Sequence, residues 1–401
     1  MTTWPEVPLR RIFRIVNGGT PTGDATNWEG EVPWATPVDL GRADGGVLRS
    51  TDRTLTEAGL LSGSRLVPVG ALVVSTRAPI GYVAEAGVDL AFNQGCRGLV
   101  PVTSIDSRYF RYQLSTMTSQ LESRGQGSTF SELSTDGLAA SRVVWPPVNE
   151  QRAIANFLDT QTARIDALIA KKRRMAELLE TRYQVWLRSR IRQLPVADLP
   201  LKRGWRVIDC RHRTPTYVSD GGYPVVSPGD IEPGRLELTR AHRFVDDVDY
   251  LDLTGGGRRP KRGDIIYSRN ASIGIAAYVD TDRPFCMGQD VCLITSDDQD
   301  QLYLSYVLNS LGVDQLQIEK VGTTFSRINV AQILELRVPA PAPNEQRELS
   351  AAFDRERQRV DHLVAKLTCQ VDLLTERRQA LITAAVTGEL DVAESIAGEA
   401  S

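Results

Sequence analysis

The stretches PPVNEQR at residues 146–152 and PAPNEQR at residues 341–347 decide the architecture of this 401-residue chain. They lie 195 residues apart, which indicates an internal repeat with a long period. Neither proline nor glycine occurs in the segments that follow, 152–194 and 347–387. Because these two residues are the strongest helix breakers, each stretch predicts the start of a long helix.

Three further pairs of segments repeat in the same order. GSTF at 127–130 returns as GTTF at 322–325, VPWATPVDL at 32–40 corresponds to YPVVSPGDI at 223–231, and GALVVSTRAPIG at 70–81 corresponds to GDIIYSRNASIG at 263–274. The offsets are 195, 191 and 193 residues, and such drift belongs in loops, where insertions are tolerated. Two related halves therefore make up most of the chain.

Each half begins with about 150 residues of short β-branched runs, such as Leu72 to Ser75 and Ile265 to Ser268, interspersed with helical stretches and turn residues. This pattern predicts an α+β fold of two mixed α/β domains separated by long helices. The predicted boundaries are a first domain at 1–150, a central long helix at 151–195, a second domain at 196–343, a C-terminal long helix at 344–390 and a tail at 391–401.

Both helices carry apolar residues at heptad spacing, which predicts that they pack on each other as an antiparallel coiled coil. Asn149 and Asn344 are the expected N-caps, and Gly388 the expected stop. The predicted seam in the first helix is Ile154, Leu158, Gln161, Ile165, Leu168, Lys172, Met175, Leu179, Arg182 and Trp186. The second seam has the same register, with Leu349, Phe353, Glu356, Val360, Leu363, Leu367, Gln370, Leu374, Arg377 and Leu381.

An antiparallel pair in this repeat order would relate the two domains by a pseudo-twofold axis. A helix pair of about 60 Å spans more than one turn of B-DNA, about 34 Å. Two domains held at the ends of a stiff spacer could recognise two half-sites separated by bases that are not read. Two separate amphipathic helices, each packed on its own domain, are the alternative.

Composition limits the other possibilities. The net charge is −3, 41 of the 47 basic residues are arginine, and residues 151–195 form the one clearly positive segment, with 10 basic and 4 acidic side chains. The five cysteines form no CxxC pair, and three histidines give no zinc spacing, so reduced structural thiols are expected. With no long apolar run and no secretory pattern at the start, a cytoplasmic protein is expected.

Taken together, these segments resemble the specificity (S) subunit of type I restriction-modification systems. The resemblance covers nearly the whole chain and rests on the two PxxNEQR stretches, the GSTF and GTTF loops, FNQGCRGLVP at 92–101 and RRQALITAAVTGELDV at 377–392. It implies two target recognition domains joined by paired helices, and binding to an asymmetric, bipartite DNA site. The implied partners are double-stranded DNA, two modification (methyltransferase) subunits and ATP-driven restriction subunits, with no membrane.

The resemblance also implies a non-catalytic chain that holds no cofactor, while S-adenosylmethionine, ATP and Mg are expected on the partner subunits. The residues agree, because no glycine precedes a lysine and a Walker A loop is therefore excluded. Two alternatives stay open. One is a coiled-coil scaffold whose repeated domains bind proteins, and the other is a specificity chain of another defence system that contains a methyltransferase.

Candidate DNA-binding residues fall into five groups. Arg77 and Asn270 occupy equivalent strand ends, where arginine suits guanine and asparagine suits adenine. Arg269 precedes Asn270 at the same strand end. The other groups are the shared loops, a polar cluster and two basic runs. For each group a purely structural or solvated role is the alternative, and the run on the first long helix could equally contact a partner subunit. The shared loops contain Gly127, Ser128, Thr129 and Phe130 with Thr323, Thr324 and Phe325, and the polar cluster contains Asn93, Gln94 and Gln289. One basic run is Arg258, Arg259 and Lys261, and the other is Lys171, Lys172, Arg173 and Arg174.

Overall fold

The computed structural model describes residues 4–43, 45–125, 132–219, 221–312, 314–316 and 327–392. The chain forms two compact units, each of which includes parts of both long helices. Unit 1 is Met1–Lys172 together with Cys369–Ser401, and unit 2 is Arg173–Thr368. Within the described ranges, no helix has both the length and the apolar character needed to cross a membrane.

Unit 1 is built from short strands and helices. Its strands are β1 (Glu6–Pro8), β2 (Phe13–Asn17), β3 (Trp28–Ala35), β4 (Val47–Leu48), β5 (Arg53–Leu55), β6 (Leu66–Val67), β7 (Leu72–Ser75), β8 (Val83–Ala86), β9 (Leu90–Phe92), β10 (Cys96–Pro101) and β11 (Arg142–Val144). Its short helices are α1 (Pro37–Ala43), α2 (Glu57–Gly63), α3 (Ser107–Ser115), α4 (Thr118–Ser123) and α5 (Thr135–Ala140). The first long helix, α6, is Val148–Arg192.

Unit 2 repeats this plan. Its strands are β12 (Asp198–Pro200), β13 (Arg206–Asp209), β14 (Tyr223–Val226), β15 (Gly234–Arg235), β16 (Phe244–Val245), β17 (Ile265–Ser268), β18 (Ala276–Tyr278), β19 (Cys286–Met287), β20 (Val291–Thr295) and β21 (Arg337–Pro339). Its short helices are α7 (Asp247–Thr254), α8 (Gln301–Val307) and α9 (Val330–Glu335). The second long helix, α10, is Pro343–Thr387.

The sheets confirm the internal repeat. The main sheet of unit 1 has the strand order β2-β10-β7-β8-β4, and that of unit 2 has the equivalent order β13-β20-β17-β18-β15. In both sheets only the last pair, β4 with β8 and β15 with β18, is parallel. A second sheet also recurs, as β5-β3-β9-β6 in unit 1 and β16-β14-β19 in unit 2. The central strands β7 and β17 have the predicted bounds and are fully buried.

The two long helices pair antiparallel within each unit, as predicted. In unit 1, Asp166 of α6 forms an ion pair with Arg378 of α10 at 2.9 Å, while Lys172 donates to Gln370 at 2.7 Å. The partner number falls as the residue number rises, which is the mark of an antiparallel pair. Ile165, Ile169 and Val371 form an apolar cluster between the two segments.

The same arrangement holds in unit 2. Arg357 of α10 pairs with Glu180 of α6 at 2.7 Å, and the Phe353 ring packs edge-on against Trp186 with centroids 5.9 Å apart. Tyr183 and Leu187 join Phe353 in the core beneath the main sheet of this unit. The helix segments therefore belong to the cores of the units. Helix α10 ends at Thr387, and Gly388 follows with φ +78°, as a glycine stop requires.

Seven of the ten predicted seam positions in each helix are buried or half-buried. One set, which includes Leu158, Ile165, Phe353 and Val360, is buried as expected. The prediction is wrong at the other three positions of each helix, which are exposed, while the residue after each is buried or half-buried. These pairs are Leu168 and Ile169, Met175 and Ala176, Arg182 and Tyr183 in α6, and Leu363 and Val364, Gln370 and Val371, Arg377 and Arg378 in α10. Leu168 is 41% exposed and Ile169 is 8% exposed. Both helices shift alike, so their shared register is retained.

The N-cap prediction is also wrong. Helix α6 begins at Val148 and α10 at Pro343, so Asn149 and Asn344 lie inside the first turn rather than before it. The first turns are closed by backbone bonds, from the Gln151 N–H to the Pro147 carbonyl at 2.9 Å and from the Gln346 N–H to the Ala342 carbonyl at 3.0 Å. Since proline has no N–H to leave unpaired, it is well suited to these starts.

Candidate nucleic-acid interface

In unit 1, a polar edge forms where β2 and β7 end and β10 begins. The register places Cys96 opposite Ser75 and Arg97 opposite Asn17. Arg77, just beyond β7, lies with its Nε 3.1 Å from Glu132 Oε2, and Arg97 Nη2 lies 3.6 Å from Glu132 Oε1. The Arg77 side chain is 48% exposed and that of Arg97 is 12% exposed. One carboxylate thus holds two arginines, of which Arg77 faces solvent.

Arg97 is fixed from several directions. Its Nε donates to Thr135 Oγ1 at 3.0 Å, and its Nη1 donates to the Gln94 carbonyl at 2.8 Å. Burial lowers the pKa of the Arg97 guanidinium, although the Glu132 charge acts in the opposite sense. The predicted polar neighbours divide in role. Asn93 shapes the turn by accepting from the Gly95 N–H at 3.0 Å, while the exposed Gln94 accepts from the Thr20 hydroxyl.

Unit 2 has the equivalent edge with different side chains. Asn270 pairs through the backbone with Arg327, as Arg77 does with Glu132. Asn270 Nδ2 donates to Asp290 Oδ2 at 3.1 Å, and Arg327 Nε lies 2.9 Å from Asp290 Oδ1. Gln289 donates to the Thr214 hydroxyl at 2.9 Å, which repeats the contact between Gln94 and Thr20. The backbone arrangement of the two edges is therefore the same, while the charged side chains that they carry differ.

Arg269 occupies the interior of this edge. It is 4% exposed, donates from Nε to the Ile328 carbonyl at 3.0 Å, and forms an ion pair with Asp209. A DNA contact by Arg269 stays a prediction, and it would require these internal bonds to break.

The basic loop of unit 2 divides between two places. Lys261 and Arg262 precede Ile265 at the start of β17, whereas Asn270 follows the end of the same strand. Arg259 and Lys261 are exposed and line a cleft of about 570 Å³ together with Arg206, Arg262 and Arg347. Arg258 is half-buried and donates to the Asp209 and Gly255 carbonyls at 3.1 and 3.0 Å. Arg258 thus reaches Asp209, which supports the polar edge, whereas Lys261 and Arg262 lie at the opposite end of β17 from Asn270.

The basic run of α6 is largely exposed. Lys171 and Arg173 face solvent, Lys172 is half-buried against Gln370, and Arg174 forms an exposed ion pair with Glu177 at 2.9 Å. The remaining candidates, Gly127, Ser128, Thr129, Phe130, Thr323, Thr324 and Phe325, lie outside the described residues. Sequence reasoning missed Glu132 and Arg327. They follow Phe130 and Phe325 by two residues each, at the 195-residue repeat offset, and this position was the available signal.

One group in the described ranges brings metal-ligand types together. Asp209, Cys210 and His212 offer ligand atoms within 4.8 Å of one another. Their surroundings do not favour a cation, because Asp209 already pairs with the Arg269 guanidinium and burial raises the pKa of the Cys210 thiol. His212 Nε2 lies 3.1 Å from Asp209 Oδ2, which extends the same polar network. We interpret the group as part of the structural support of the edge.

The fold and these edges define a class: a protein with two repeated recognition domains and two long paired helices. Comparison with known proteins specifies it further. The family model described as the type I restriction modification DNA specificity domain matches residues 1–178 and 214–361. The chain is 34% identical over 334 residues to the type I restriction enzyme MjaIX specificity subunit of Methanocaldococcus jannaschii, covering 82% of this chain and 68% of that protein.

Solved structures agree on the fold. A chain from work on the structural basis of complex assembly and conformational transition of the type I R-M system has a TM-score of 0.73 at 18% identity, with 97% of this chain and 99% of that chain covered. The HsdS subunit from Thermoanaerobacter tengcongensis has a TM-score of 0.54 at 18% identity, with 96% and 97% covered. This chain belongs to the family of type I restriction-modification specificity subunits.

Proposed function

We propose that this chain is the non-catalytic subunit that selects the DNA sequence for a type I restriction-modification complex. It recognises a bipartite, asymmetric site through its two recognition domains and docks methyltransferase subunits, which carry the S-adenosylmethionine chemistry. Its own contribution is binding and positioning.

The observation that carries this proposal is the pair of equivalent edges with unequal chemistry. Unit 1 presents an exposed arginine beside a carboxylate, and unit 2 presents an asparagine amide beside an arginine, on the same strand ends. Arginine and asparagine are the residues that best distinguish guanine from adenine in the major groove. The two domains keep the same backbone arrangement at these strand ends but present different hydrogen-bond donors. An asymmetric bipartite site requires such a difference, because its two half-sites differ in sequence.

A stripe of exposed apolar residues supports docking of a partner subunit. On the part of α6 that belongs to unit 2, Met175, Leu178 and Val185 are 55%, 50% and 64% exposed. Their spacings of three and seven residues place them on one side of the helix, over about 15 Å. A row of large exposed apolar side chains is typical of a surface to which another protein binds.

The direct test is selection of DNA by the full chain, co-expressed with its methyltransferase subunit. The complex is incubated with a library of random 40-base-pair duplexes, and the bound fraction is sequenced. We expect enrichment of two defined half-sites separated by a spacer of fixed length and random sequence. A complex that enriches no sequence over the input library would refute the proposal and favour a protein-binding scaffold.

Mapping of methylated adenines in strains with and without this chain provides an independent readout. We expect methylation at the selected site only when the chain is present. Copurification then distinguishes the two kinds of defence system, because an ATP-driven restriction subunit assembles only in the type I case. Replacing Leu178 and Val185 by aspartate is expected to abolish capture of the methyltransferase, whereas Arg190→Gln on the same helix is the matched control.

A further inference from the structure

An arginine is stacked on an aromatic ring at the same place in both units. In unit 1, the Arg53 guanidinium lies 3.5 Å from the centroid of the Trp28 ring and 5.4 Å from that of Trp34. In unit 2, the Arg243 guanidinium lies 5.2 Å from the centroid of the Tyr217 ring. Both arginines are exposed. Neither was singled out by the sequence, because the aromatic partners lie 25 and 26 positions away and differ in type.

The second sheets show that the two positions are equivalent. Arg53 begins β5 and pairs with Trp34 of β3. Arg243 immediately precedes β16, and its carbonyl accepts from the N–H of Val225 in β14 at 2.9 Å. The repeat places Trp34 in register with Val225, so both arginines lie at the same point of an edge strand.

These two arginines differ from three others near the recognition edges, each of which is paired with a carboxylate. Arg77 pairs with Glu132, Arg213 with Asp249, and Arg327 with Asp290. Within the part of the chain that the structure describes, no carboxylate forms an ion pair with Arg53 or Arg243. In unit 2, Arg243 Nη1 also donates to the Tyr217 hydroxyl at 3.4 Å. An adjacent aromatic ring orients the guanidinium without neutralising its charge and leaves its other N–H donors available for an anion.

The stacked arginines are connected to the polar edges. In unit 1, Trp34 Nε1 donates to the Gly19 carbonyl at 3.0 Å, and the adjacent Thr20 donates to Gln94. In unit 2, Gln289 donates to Thr214, three residues before Tyr217. The segment that precedes each aromatic partner is thus connected to its polar edge, through Gln94 in unit 1 and Gln289 in unit 2.

We infer that Arg53 and Arg243 each bind a DNA backbone phosphate, one in each half-site, and set the register of the recognition domain on the duplex. The inference rests on the proposed function and adds the residues that position the DNA. An arginine shared by two diverged domains suits the part of DNA that does not vary with sequence. Oriented guanidinium donors match the geometry of a phosphate, and an exposed charge without a carboxylate partner binds it without first breaking an ion pair.

The test compares Arg53→Gln, Arg243→Gln and the double variant, each in the complex with the methyltransferase subunit. Binding is measured over a range of salt concentrations on the selected duplex and on an unrelated 40-base-pair duplex. Each Gln substitution is expected to weaken binding to both duplexes by the same factor. Each should also make the slope of log K against log[salt] less negative by about 0.9, and the double variant by about twice that amount. Arg53→Lys and Arg243→Lys should restore the slope, because lysine keeps the charge.

Arg14→Gln is the matched control, since Arg14 is an exposed arginine near the opposite end of β2 from the polar edge, and its salt slope should equal that of the parent. Unchanged affinity and slope in the Gln variants would overturn the inference. Loss confined to particular bases of one half-site would also overturn it, because the arginine would then read bases. If the parent complex itself selects no sequence, the proposed function fails, which is a separate result.

Discussion

The side-chain carbonyl of Gln151 accepts a hydrogen bond from the backbone N–H of Asp106 at 2.9 Å. Its amide nitrogen donates to the Pro146 carbonyl at 2.7 Å, and the side chain is completely buried. Gln346 repeats both bonds, with the Asp300 N–H at 2.9 Å and the Pro341 carbonyl at 2.8 Å. The glutamine of each PxxNEQR stretch therefore fastens the start of a long helix to the recognition domain before it.

Replacing Gln151 by alanine is expected to destabilise unit 1 by about 1–3 kcal/mol, because a buried N–H and a buried carbonyl lose their partners. The free energy of unfolding, measured by urea titration of the full chain, checks this value. Asn149→Ala, two residues earlier and exposed, should change it by less than about 0.5 kcal/mol. Equal losses of unfolding free energy in the two variants would argue against the view that Gln151 fastens the helix to the domain.

The helix seam gives a second prediction, with neighbouring leucine and isoleucine as a matched pair. Ile169→Ala should destabilise the chain by about 2–5 kcal/mol, since it leaves a cavity beside Ile165 and Val371. Leu168→Ala should cost less than about 0.5 kcal/mol, because its side chain faces solvent. Urea titration of both variants decides between the observed seam and the heptad assignment made from the sequence, which predicts the reverse order.

The sequence alone could not distinguish the observed seam from the predicted one, because both contain enough apolar residues to form a helix interface. Leu168 and Ile169 are adjacent and equally apolar, and the true seam includes Thr162. That threonine is buried since its hydroxyl donates to the Leu158 carbonyl at 2.7 Å and lies 3.3 Å from the Tyr112 hydroxyl. Apolar spacing cannot reveal a polar residue whose partners come from another element. The central strands were predictable because a buried strand needs only a short β-branched run.

The candidate site was only partly predictable for a similar reason. The strand ends that carry Arg77 and Asn270 follow from the repeat alone. The structural role of Arg269 does not follow from the repeat, because its partners Asp209 and Ile328 are about 60 residues away in the chain. Whether an arginine binds DNA or supports its own domain depends on such distant partners, which the sequence does not pair.

Thiol chemistry gives a third prediction. Cys96, Cys210, Cys286 and Cys292 are buried free thiols, and Cys369 is exposed on α10. Burial raises the pKa of Cys96 and of Cys286 to about 12, so at pH 8 only a fraction on the order of 10⁻⁴ of each is thiolate. Native chain treated with maleimide at pH 8 should take up one label, and denatured chain five. Mass spectrometry counts the labels, and Cys369→Ser should leave none on the native chain. More than one label on the native parent would contradict the burial.

The two polar edges give the last prediction, which concerns half-site specificity. Arg77→Ala should relax base discrimination in one half-site and Asn270→Ala in the other, each by about 1–3 kcal/mol, because one bidentate contact is lost in each case. Binding of the complex to the selected duplex and to a panel with single base changes measures the effect. Arg14→Gln serves again as the control for surface charge. The effects should add in the double variant, because each edge makes its contacts within its own unit. Relaxation of the same half-site by both substitutions, or of neither half-site, would refute the assignment of one recognition domain to each half.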